Sequence, residues 1–340
     1  MMKEAIGKVV SGADLSEQEM VDVMNEIMSG TATPAQIGSF ITALRLKGET
    51  IDEITGAAQV MREKATRVDV EIPGGILVDT CGTGGDNSGT FNVSTAAAFV
   101  VAGGGVPVAK HGNRSITSHC GSADVLEALG VDLAMSPEKI SRCIQEIGIG
   151  FMFAPAMHGA MKYAIGPRRE IGIRTIFNVL GPLTNPAGAN VQVMGVFDPE
   201  LTEKLARVLG KLGSHRALVV CGAGNMDEIT VTGETVVAEW RDGAVETYRL
   251  APEDAGFSRS TIDDIKGATT PEAAADQLRE ILSGKAGPRL DMVLMNAGAA
   301  LLAAGKGDDF KAAVHLANEV VQSGKALQKI DDLVAFGGEN

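Results

Sequence analysis

Amphipathic helix patterns fill the first 70 residues of the chain. Ile37, Phe40 and Ile41 are followed by Leu44, which gives the i, i+3, i+4, i+7 spacing of an apolar helix face. Three segments match the S/T-x-x-E/Q capping box of a helix N-terminus, at residues 16–19, 33–36 and 50–53. Because no strand pattern interrupts them, these segments predict a small helical domain over residues 1–70.

Short apolar segments alternate with helical patterns from residue 74 onward. The strand candidates read ILVD, VPVAKHGN, IGFMFAP, VQVMGVF and RALVVCG. A hairpin is predicted to turn at Asp242 and Gly243, since Asp-Gly is a preferred two-residue turn, and helical patterns run from residue 271 to 336. This alternation predicts an α/β fold over residues 74–340, with a mainly parallel central sheet, helices on both faces and C-terminal helices.

The composition and charge narrow the function classes. The 340 residues are 45% apolar and 21% charged, which is enough to bury a large core, and the formal charge is −13 from 30 basic and 43 acidic residues. Such an acidic chain is a poor match for nucleic acid, which binds basic faces. The four cysteines show neither zinc nor disulfide spacing. The N-terminus lacks an apolar signal core and no long uninterrupted apolar run occurs, so we expect a soluble cytoplasmic protein with no membrane partner.

Polar loops follow four of the strand candidates. Residues 82–86 (GTGGD) follow the first and residues 111–115 (HGNRS) the second, while His158 follows the third and Asp227-Glu228 the last. Since ligands of open α/β sheets bind beyond the carboxyl ends of the strands, we expect these loops to meet at one pocket.

The first loop suits an anion because its glycines leave backbone N–H groups exposed. The helix that follows opens with Asn92, Val93, Ser94 and Thr95, whose free amides and hydroxyls would face the same ligand. The loop lacks the G-K-[ST] of a Walker loop, and Asn87 stands where a dinucleotide fingerprint needs glycine. A tight structural turn remains an equal alternative for these glycines.

The second loop and the acid pair indicate a charged ligand. Lys110, His111 and Arg114 are three basic residues within five positions of an acidic protein, which favours an anion site over a solvated connection. Asp227 and Glu228 are most simply a solvated acid pair, but beside a polyphosphate such carboxylates hold Mg²⁺. The acid of the first loop could likewise face a metal or a sugar hydroxyl, so these residues suggest a ligand with phosphates, hydroxyls and magnesium.

Six separate segments resemble the anthranilate phosphoribosyltransferase family. They read DTCGTGGD, FNVST, KHGNRS, GSADVLEALG, MFAPAMHGAMKY and RTIFNVLGPLTNPA, and they spread over most of the chain. The fifth and sixth are long and specific, whereas glycine loops recur by chance. The related pyrimidine nucleoside phosphorylases share the general fold but carry another signature after Lys-His, so Gly112-Asn113-Arg114 favours the transferase.

The resemblance implies a nucleoside phosphorylase/phosphoribosyltransferase-like fold. It also implies transfer of the phosphoribosyl group of phosphoribosyl pyrophosphate (PRPP) to the amine of anthranilate, with release of pyrophosphate, in tryptophan biosynthesis. It further implies two bound Mg²⁺ ions, a homodimer and packing of part of segment 165–190 on the helical domain. The implied substrate-binding residues are Gly82, Gly85, Asp86, Thr90, Asn92, Val93, Ser94, Thr95, Lys110, His111, Gly112, Asn113, Arg114, Ser115, Ser118, Ser122 and Arg168. The implied metal-binding residues are Ser94, Asp227 and Glu228, and the implied catalytic residues are Lys110, His111 and Arg168.

The chemical groups indicate how such a reaction is catalysed. Backbone N–H groups of the glycine loop, Lys110 and magnesium can take the charge of the departing pyrophosphate. Arg168 is expected to clamp the carboxylate of anthranilate at two points. The aryl amine is neutral at pH 7 and needs positioning rather than a strong base, so His111 is either the local proton acceptor or a packing and hydrogen-bonding residue.

Two alternative functions stay open. One is a pyrimidine nucleoside phosphorylase, which would bind free phosphate and a nucleobase. The other is a non-catalytic relative of the same fold that binds nucleic acid. Such a relative should be basic along a groove and lack the acid pair, whereas here the charge is −13 and the pair is present.

Overall fold

Four helices form the N-terminal part of the structure, which is a computed structural model describing residues 1–115 and 120–338. They are α1 (Met2–Val10), α2 (Glu17–Met28), α3 (Pro34–Lys47) and α4 (Ile51–Lys64). The three predicted capping boxes are confirmed, because Ser16, Thr33 and Thr50 each exchange hydrogen bonds with the residue three positions on. The sequence pattern does not predict α1, since Met1 before it has no capping side chain.

Within the described residues, one sheet of seven strands lies at the centre of the larger part. The strands are β1 (Val78–Gly82), β2 (Val108–Gly112), β3 (Ile149–Phe153), β4 (Val191–Gly195), β5 (Arg216–Gly222), β6 (Thr235–Arg241) and β7 (Ala244–Leu250). Their order is β3-β2-β1-β4-β5-β6-β7, with β1 to β5 parallel and β6 and β7 antiparallel. The predicted mainly parallel sheet is confirmed. So is the hairpin, where Asp242 and Gly243 have the positive φ angles (51° and 84°) of a type I′ turn.

Helices cover both faces of this sheet, as predicted. They are α5 (Val93–Gly103), α6 (Ser122–Ala128), α7 (Pro137–Ile147), α8 (Ala154–Met157), α9 (Lys162–Ile171), α10 (Phe177–Leu180), α11 (Glu200–Lys211), α12 (Pro271–Leu282), α13 (Pro288–Ala303), α14 (Phe310–Gln322) and α15 (Lys325–Gly338). Alternate residues of β5 enter different apolar cores. Leu218 and Val220 belong to the core that contains α5 and α13, whereas Ala217 and Val219 belong to the core that contains α11. No helix in the described ranges has the length and apolar character needed to cross a bilayer.

One of these cores also contains the N-terminal helices and a later segment of the chain. Ala164 of α9, together with Phe177 and Leu180 of α10, lies buried in the same apolar cluster as Ile37 and Phe40 of α3. Helix α9 contacts both α2 and α3. The cluster extends onto one face of the sheet, so the N-terminal helices and the sheet share a core. The domain boundary between residues 70 and 74 stays a prediction.

Candidate active site

The strand order changes direction between β1 and β4, and such a switch point is where ligands of open α/β sheets bind. The loop after β5 folds back across this point. A Cβ on Gly195, the last residue of β4, would lie 1.5 Å from the Asp227 carbonyl oxygen. A Cβ on Gly82, at the end of β1, would lie 2.4 Å from an Asp227 carboxylate oxygen. Both positions therefore require glycine for Asp227 to lie over the ends of these strands.

The glycine-rich loop after β1 presents backbone N–H groups at its tip. Thr83 N–H donates to the Gly195 carbonyl at 2.9 Å and Gly84 N–H donates to Asp227 Oδ2 at 2.7 Å, so the base of the loop is fixed. Gly84 and Gly85 have φ angles of 67° and 76°, a conformation that other residues adopt only at a cost. Across the described residues, the amides at positions 85–87 donate to no protein acceptor. Amides without a protein acceptor are the groups with which the sequence analysis expects this loop to bind an anion.

The acid pair after β5 lies against this loop. Burial, together with the negative charge of nearby Asp86, raises the pKa of Asp227 to about 7. The pKa of Glu228 is raised as well, by burial and by the charge of Asp227. Glu228 Oε1 accepts a hydrogen bond from the backbone N–H of Ser94 at 3.3 Å. The predicted metal residues Ser94, Asp227 and Glu228 are therefore close together, in a place where like charges repel.

This acid cluster fits a magnesium ion that shares its ligands with a phosphorylated substrate. In the part of the chain that the structure describes, no three His, Cys, Asp or Glu side chains converge as a preformed metal site. Mg²⁺ commonly binds to one or two carboxylates plus substrate phosphates, so a complete protein cage is not needed. A divalent cation here would also relieve the repulsion between Asp86, Asp227 and Glu228.

Lys110 lies beside the same cluster, beneath the start of α5. Its side chain is only 3% exposed, and Nζ donates to the Thr80 carbonyl at 2.5 Å and approaches Ser94 Oγ at 3.5 Å. Its positive charge opposes the burial that raises the pKa values of Asp79 and Glu228. The buried ammonium group of Lys110 thus lies near Ser94 and Glu228, two of the residues that the resemblance implies for metal binding.

Asp79 on β1 is a buried acid to which the sequence reasoning gave no role. Its Oδ2 accepts from Asn185 Nδ2 at 2.8 Å, and its Oδ1 accepts from the backbone N–H of His111 at 3.4 Å. Burial raises its pKa, and the charge of Lys110 opposes that rise. The available sequence signal was an acid at the end of the apolar strand candidate ILVD, since a buried carboxylate needs such partners.

His111 and His158 lie together at the ends of β2 and of α8. Their ring centroids are 5.1 Å apart. Burial lowers the pKa of His111 to about 3, assisted by the charges of His158 and Lys110, and burial lowers that of His158 to about 4. Each ring bonds to a backbone group, of Gly181 and Thr184 respectively, while neither Nε2 has a partner among the described residues. Both rings are neutral at pH 7 and have one nitrogen left to bond a ligand.

Arg168 on α9 is a largely buried cation without a counter-ion in the described structure. Its guanidinium carbon lies 5.1 Å from the centroid of the Phe177 ring. Burial lowers its pKa, and no ion pair or side-chain hydrogen bond to another described residue compensates for this desolvation. The adjacent Arg169 is exposed. A desolvated guanidinium stacked on a ring is suited to an anionic aromatic ligand.

The loop after β2 directs its arginine away from the acid cluster. Arg114 Nη1 lies 2.9 Å from Asp124 Oδ1 and 2.7 Å from Glu127 Oε2, so its guanidinium is bound by carboxylates of α6. The loop packs closely on the start of that helix, and a Cβ on Gly112 would lie 2.2 Å from Ser122 Oγ. These contacts fix the loop backbone, whereas the Arg114 charge is already paired.

The remaining predicted residues stand around these two loops. Ser122 Oγ donates to the Asn113 carbonyl at 3.3 Å, and Ser115 N–H donates to Asp124 Oδ2 at 3.1 Å. Asn92 Nδ2 donates to the Cys120 carbonyl at 3.1 Å and so joins the two loops. Thr90 Oγ1 lies 3.1 Å from Ser88 Oγ. Val93 and Thr95 are buried in the first turn of α5, and Ser118 lies outside the described residues.

Arg174 is a cation near the glycine loop to which the sequence reasoning gave no role. Its guanidinium donates to the carbonyl of Gly85 at the tip of the glycine loop and lies 4.1 Å from the centroid of the Phe197 ring. It stands first in the segment RTIFNVLGPLTNPA, which was the only sequence signal for it. Arg174 thus links the segment after α9 to the loop after β1.

Comparison with known proteins adds independent information. Residues 74–327 match the model of the glycosyl transferase family, a/b domain, and residues 3–65 match that of the glycosyl transferase family, helical bundle domain. The anthranilate phosphoribosyltransferase of Desulfotalea psychrophila is 61% identical, over 98% of this chain and 97% of its own length. The crystal structure of the enzyme of that name from Thermus thermophilus is similar, with a TM-score of 0.93, 45% identity and coverage of 98% and 99% of the two chains. The Saccharomyces cerevisiae enzyme in complex with PRPP and Mg has a TM-score of 0.88 at 29% identity, covering 99% and 97%.

Proposed function

The chain belongs to the anthranilate phosphoribosyltransferase family, and we propose that its reaction takes place at the carboxyl edge of β1 and β4. The enzyme transfers the phosphoribosyl group of PRPP to the amine of anthranilate, giving N-(5-phosphoribosyl)anthranilate and pyrophosphate, a step of L-tryptophan biosynthesis. The observation that supports this site best is the convergence of free loop amides, Lys110 and the acid pair at one point. The relatives support neither the nucleoside phosphorylase nor the nucleic-acid-binding alternative.

The pyrophosphate end of the donor would bind to the glycine loop. The amides at positions 85–87 point at no other acceptor within the described chain, and Lys110 adds a buried positive charge nearby. Charge accumulates on the leaving oxygens as the bond to the ribose breaks. Each preorganised donor aimed at that charge is worth about 3 kcal/mol of barrier lowering.

Ser94, Asp227 and Glu228 would hold magnesium, and we propose two ions. Asp227 faces Gly84 and Asp86, whereas Glu228 faces Ser94, so the two carboxylates have different neighbours and can serve separate ions. When bound, magnesium neutralises the negative charge of the diphosphate. The contribution of the chain is to keep its carboxylates at the switch point, where the glycines at the ends of β1 and β4 leave room for them.

Anthranilate would bind between α9 and the end of β2. Arg168 would take its carboxylate, since the guanidinium has no other anion among the described residues. His111 is neutral, so its Nε2 can accept a hydrogen bond from the aryl amine and orient the nitrogen lone pair toward the ribose. A group whose pKa is about 3 is a weak base at pH 7, which favours positioning over proton removal as the role of His111.

A fluorescence assay of anthranilate consumption tests the proposed function. The complete mixture of protein, PRPP, anthranilate and Mg²⁺ should consume anthranilate and release an equal amount of pyrophosphate. Omission of PRPP or chelation of Mg²⁺ with EDTA should stop the reaction. Phosphorolysis of uridine or thymidine, with no use of anthranilate, would instead assign the chain to the phosphorylases.

We also propose that the enzyme works as a cytoplasmic homodimer. Leu46 on α3 is 83% exposed, and Tyr163 and Ile165 on the contacting helix α9 are each 39% exposed. Exposed apolar groups on neighbouring helices are typical of a contact surface. Sedimentation should therefore give one species with twice the chain mass of 35.2 kDa. A species of single chain mass would contradict the dimer.

A further inference from the structure

A short segment far along the chain lies against the second half of the glycine loop. The Gly267 N–H donates to the Gly89 carbonyl at 2.9 Å, and Lys266 and Thr90 form an antiparallel β-bridge. We call residues 266–268 the 266–268 clamp. It lies outside the six segments by which the sequence resembles its family, so nothing in the sequence reasoning pointed to it.

The clamp is itself held by two helices. Arg289 at the start of α13 donates from Nε and Nη2 to the Lys266 carbonyl at 3.2 and 3.1 Å. Gln277 on α12 donates to the same carbonyl at 3.2 Å and accepts from the Ala268 N–H at 3.2 Å. Three side-chain N–H groups thus meet at one carbonyl oxygen, which fixes the backbone of the clamp relative to the helical layer.

The contact between clamp and loop depends on a glycine. A Cβ on Gly267 would lie 2.7 Å from the Thr90 carbonyl oxygen and 2.9 Å from the Thr90 carbonyl carbon, closer than real Cβ atoms approach a backbone. Gly267 is not among the residues with positive φ, so alanine can adopt its backbone conformation. Alanine at this position would therefore act mainly by pushing the loop backbone at Thr90 away from the clamp.

We propose that the 266–268 clamp is a positioning element for the phosphoribosyl donor. It sets the place of Gly89 and Thr90, and Asn92 two residues on joins this part of the loop to the loop after β2 through its bond to Cys120. Among the described residues, no hydrogen bond joins the clamp to Arg168 or His111, so we expect it to influence binding of the donor and not of anthranilate. This inference rests on the proposed function, because it takes the glycine loop as the donor site.

Steady-state kinetics of Gly267→Ala test the clamp. The KM for PRPP should rise by about tenfold, because a displaced loop loses part of its binding energy for the donor and about 1.4 kcal/mol corresponds to that factor. The KM for anthranilate and kcat at saturating PRPP should stay within about twofold of wild type. Titration calorimetry with PRPP and Mg²⁺ should show the same loss of affinity. Gly7→Ala is the matched control, because a Cβ there meets nothing within 4 Å, and it should behave as wild type.

A second pair of variants keeps the inference testable if Gly267→Ala folds poorly. Arg289→Gln weakens the hydrogen bonding to the Lys266 carbonyl and should raise the KM for PRPP alone. Arg289→Lys can still donate to that carbonyl, so its KM for PRPP should stay close to that of wild type. Equal rises in both KM values, or a fall in kcat alone, would disprove the positioning role of the 266–268 clamp while leaving the proposed function standing. Absence of turnover in the wild-type protein would instead refute the proposed function.

Discussion

The double variant Asp227→Asn, Glu228→Gln is expected to lose about three orders of magnitude in kcat/KM. Neutral amides keep the size of the side chains and can still accept hydrogen bonds from Gly84 and Ser94. They no longer attract a divalent cation, whose contribution to stabilising transition-state charge is several kcal/mol. At about 1.4 kcal/mol for each factor of ten, that loss corresponds to about 1,000-fold. Turnover within a few-fold of wild type would contradict the metal role of the pair.

Thermal unfolding in EDTA separates this loss from misfolding. The pKa of Asp227 is raised from 3.8 to about 7 in the folded protein, so the folded state binds its proton more tightly than the unfolded state. This group therefore lowers the stability of the metal-free protein as the pH rises from about 4 through 7. The double variant should unfold at a higher temperature than wild type at pH 8 and show a smaller difference at pH 5. The exposed Asp308→Asn is the control and should change neither activity nor stability.

Arg168→Ala is expected to raise the KM for anthranilate by about 100-fold. Two charge-assisted hydrogen bonds to a carboxylate together contribute about 3 kcal/mol, which corresponds to that factor. The KM for PRPP should change little, because the donor residues lie on the loops after β1 and β2. Arg168→Lys keeps the charge but loses the planar fork, and should give an intermediate KM.

The neighbouring Arg169→Ala is the matched control for the proposed contact between Arg168 and the carboxylate of anthranilate. Arg169 is exposed and one position away, so the same change in net charge and helix composition should leave both KM values unaltered. Arg168→Ala should also unfold at or above the temperature of wild type, since it removes a desolvated cation that has no anion among the described residues. An unchanged KM for anthranilate in Arg168→Ala would disprove the assignment.

The predicted elements that proved correct rest on local physics. The capping boxes at Ser16, Thr33 and Thr50 form because side chains three positions apart meet at a helix N-terminus wherever the helix lies. The Asp242–Gly243 turn forms because only a few residues tolerate the φ angles of a tight hairpin. Helix α1 was missed because packing, and not a cap, defines its start.

A rule on the topology of parallel sheets led us to expect that the candidate site residues lie close together. Parallel strands present their carboxyl ends at one edge, so loops far apart in sequence were expected to meet there. The structure brings Gly84 against Asp227 and Ser94 against Glu228 at that edge. Motif positions therefore named residues that the structure brings together at this edge, and their binding and catalytic roles stay predictions.

The partners of Arg114 and Arg174 were decided by the fold alone. Arg114 belongs to a basic loop, yet the acids of α6 bind it, whereas Arg174, which showed no pattern of its own, reaches the carbonyl of Gly85. The carboxylates within 3 Å of the Arg114 guanidinium depend on how α6 packs against the loop, and the separation of these residues along the chain does not encode that distance.

Sequence alone determined the class of the fold, the helix starts with capping side chains and the family, because propensity, periodicity and motif act within a few residues of each other. Tertiary structure decided that burial lowers the pKa values of His111 and His158, that Arg168 has no anion among the described residues and that Gly267 touches the glycine loop. These properties come from burial and close approach between distant segments, and they exist only once the chain has folded.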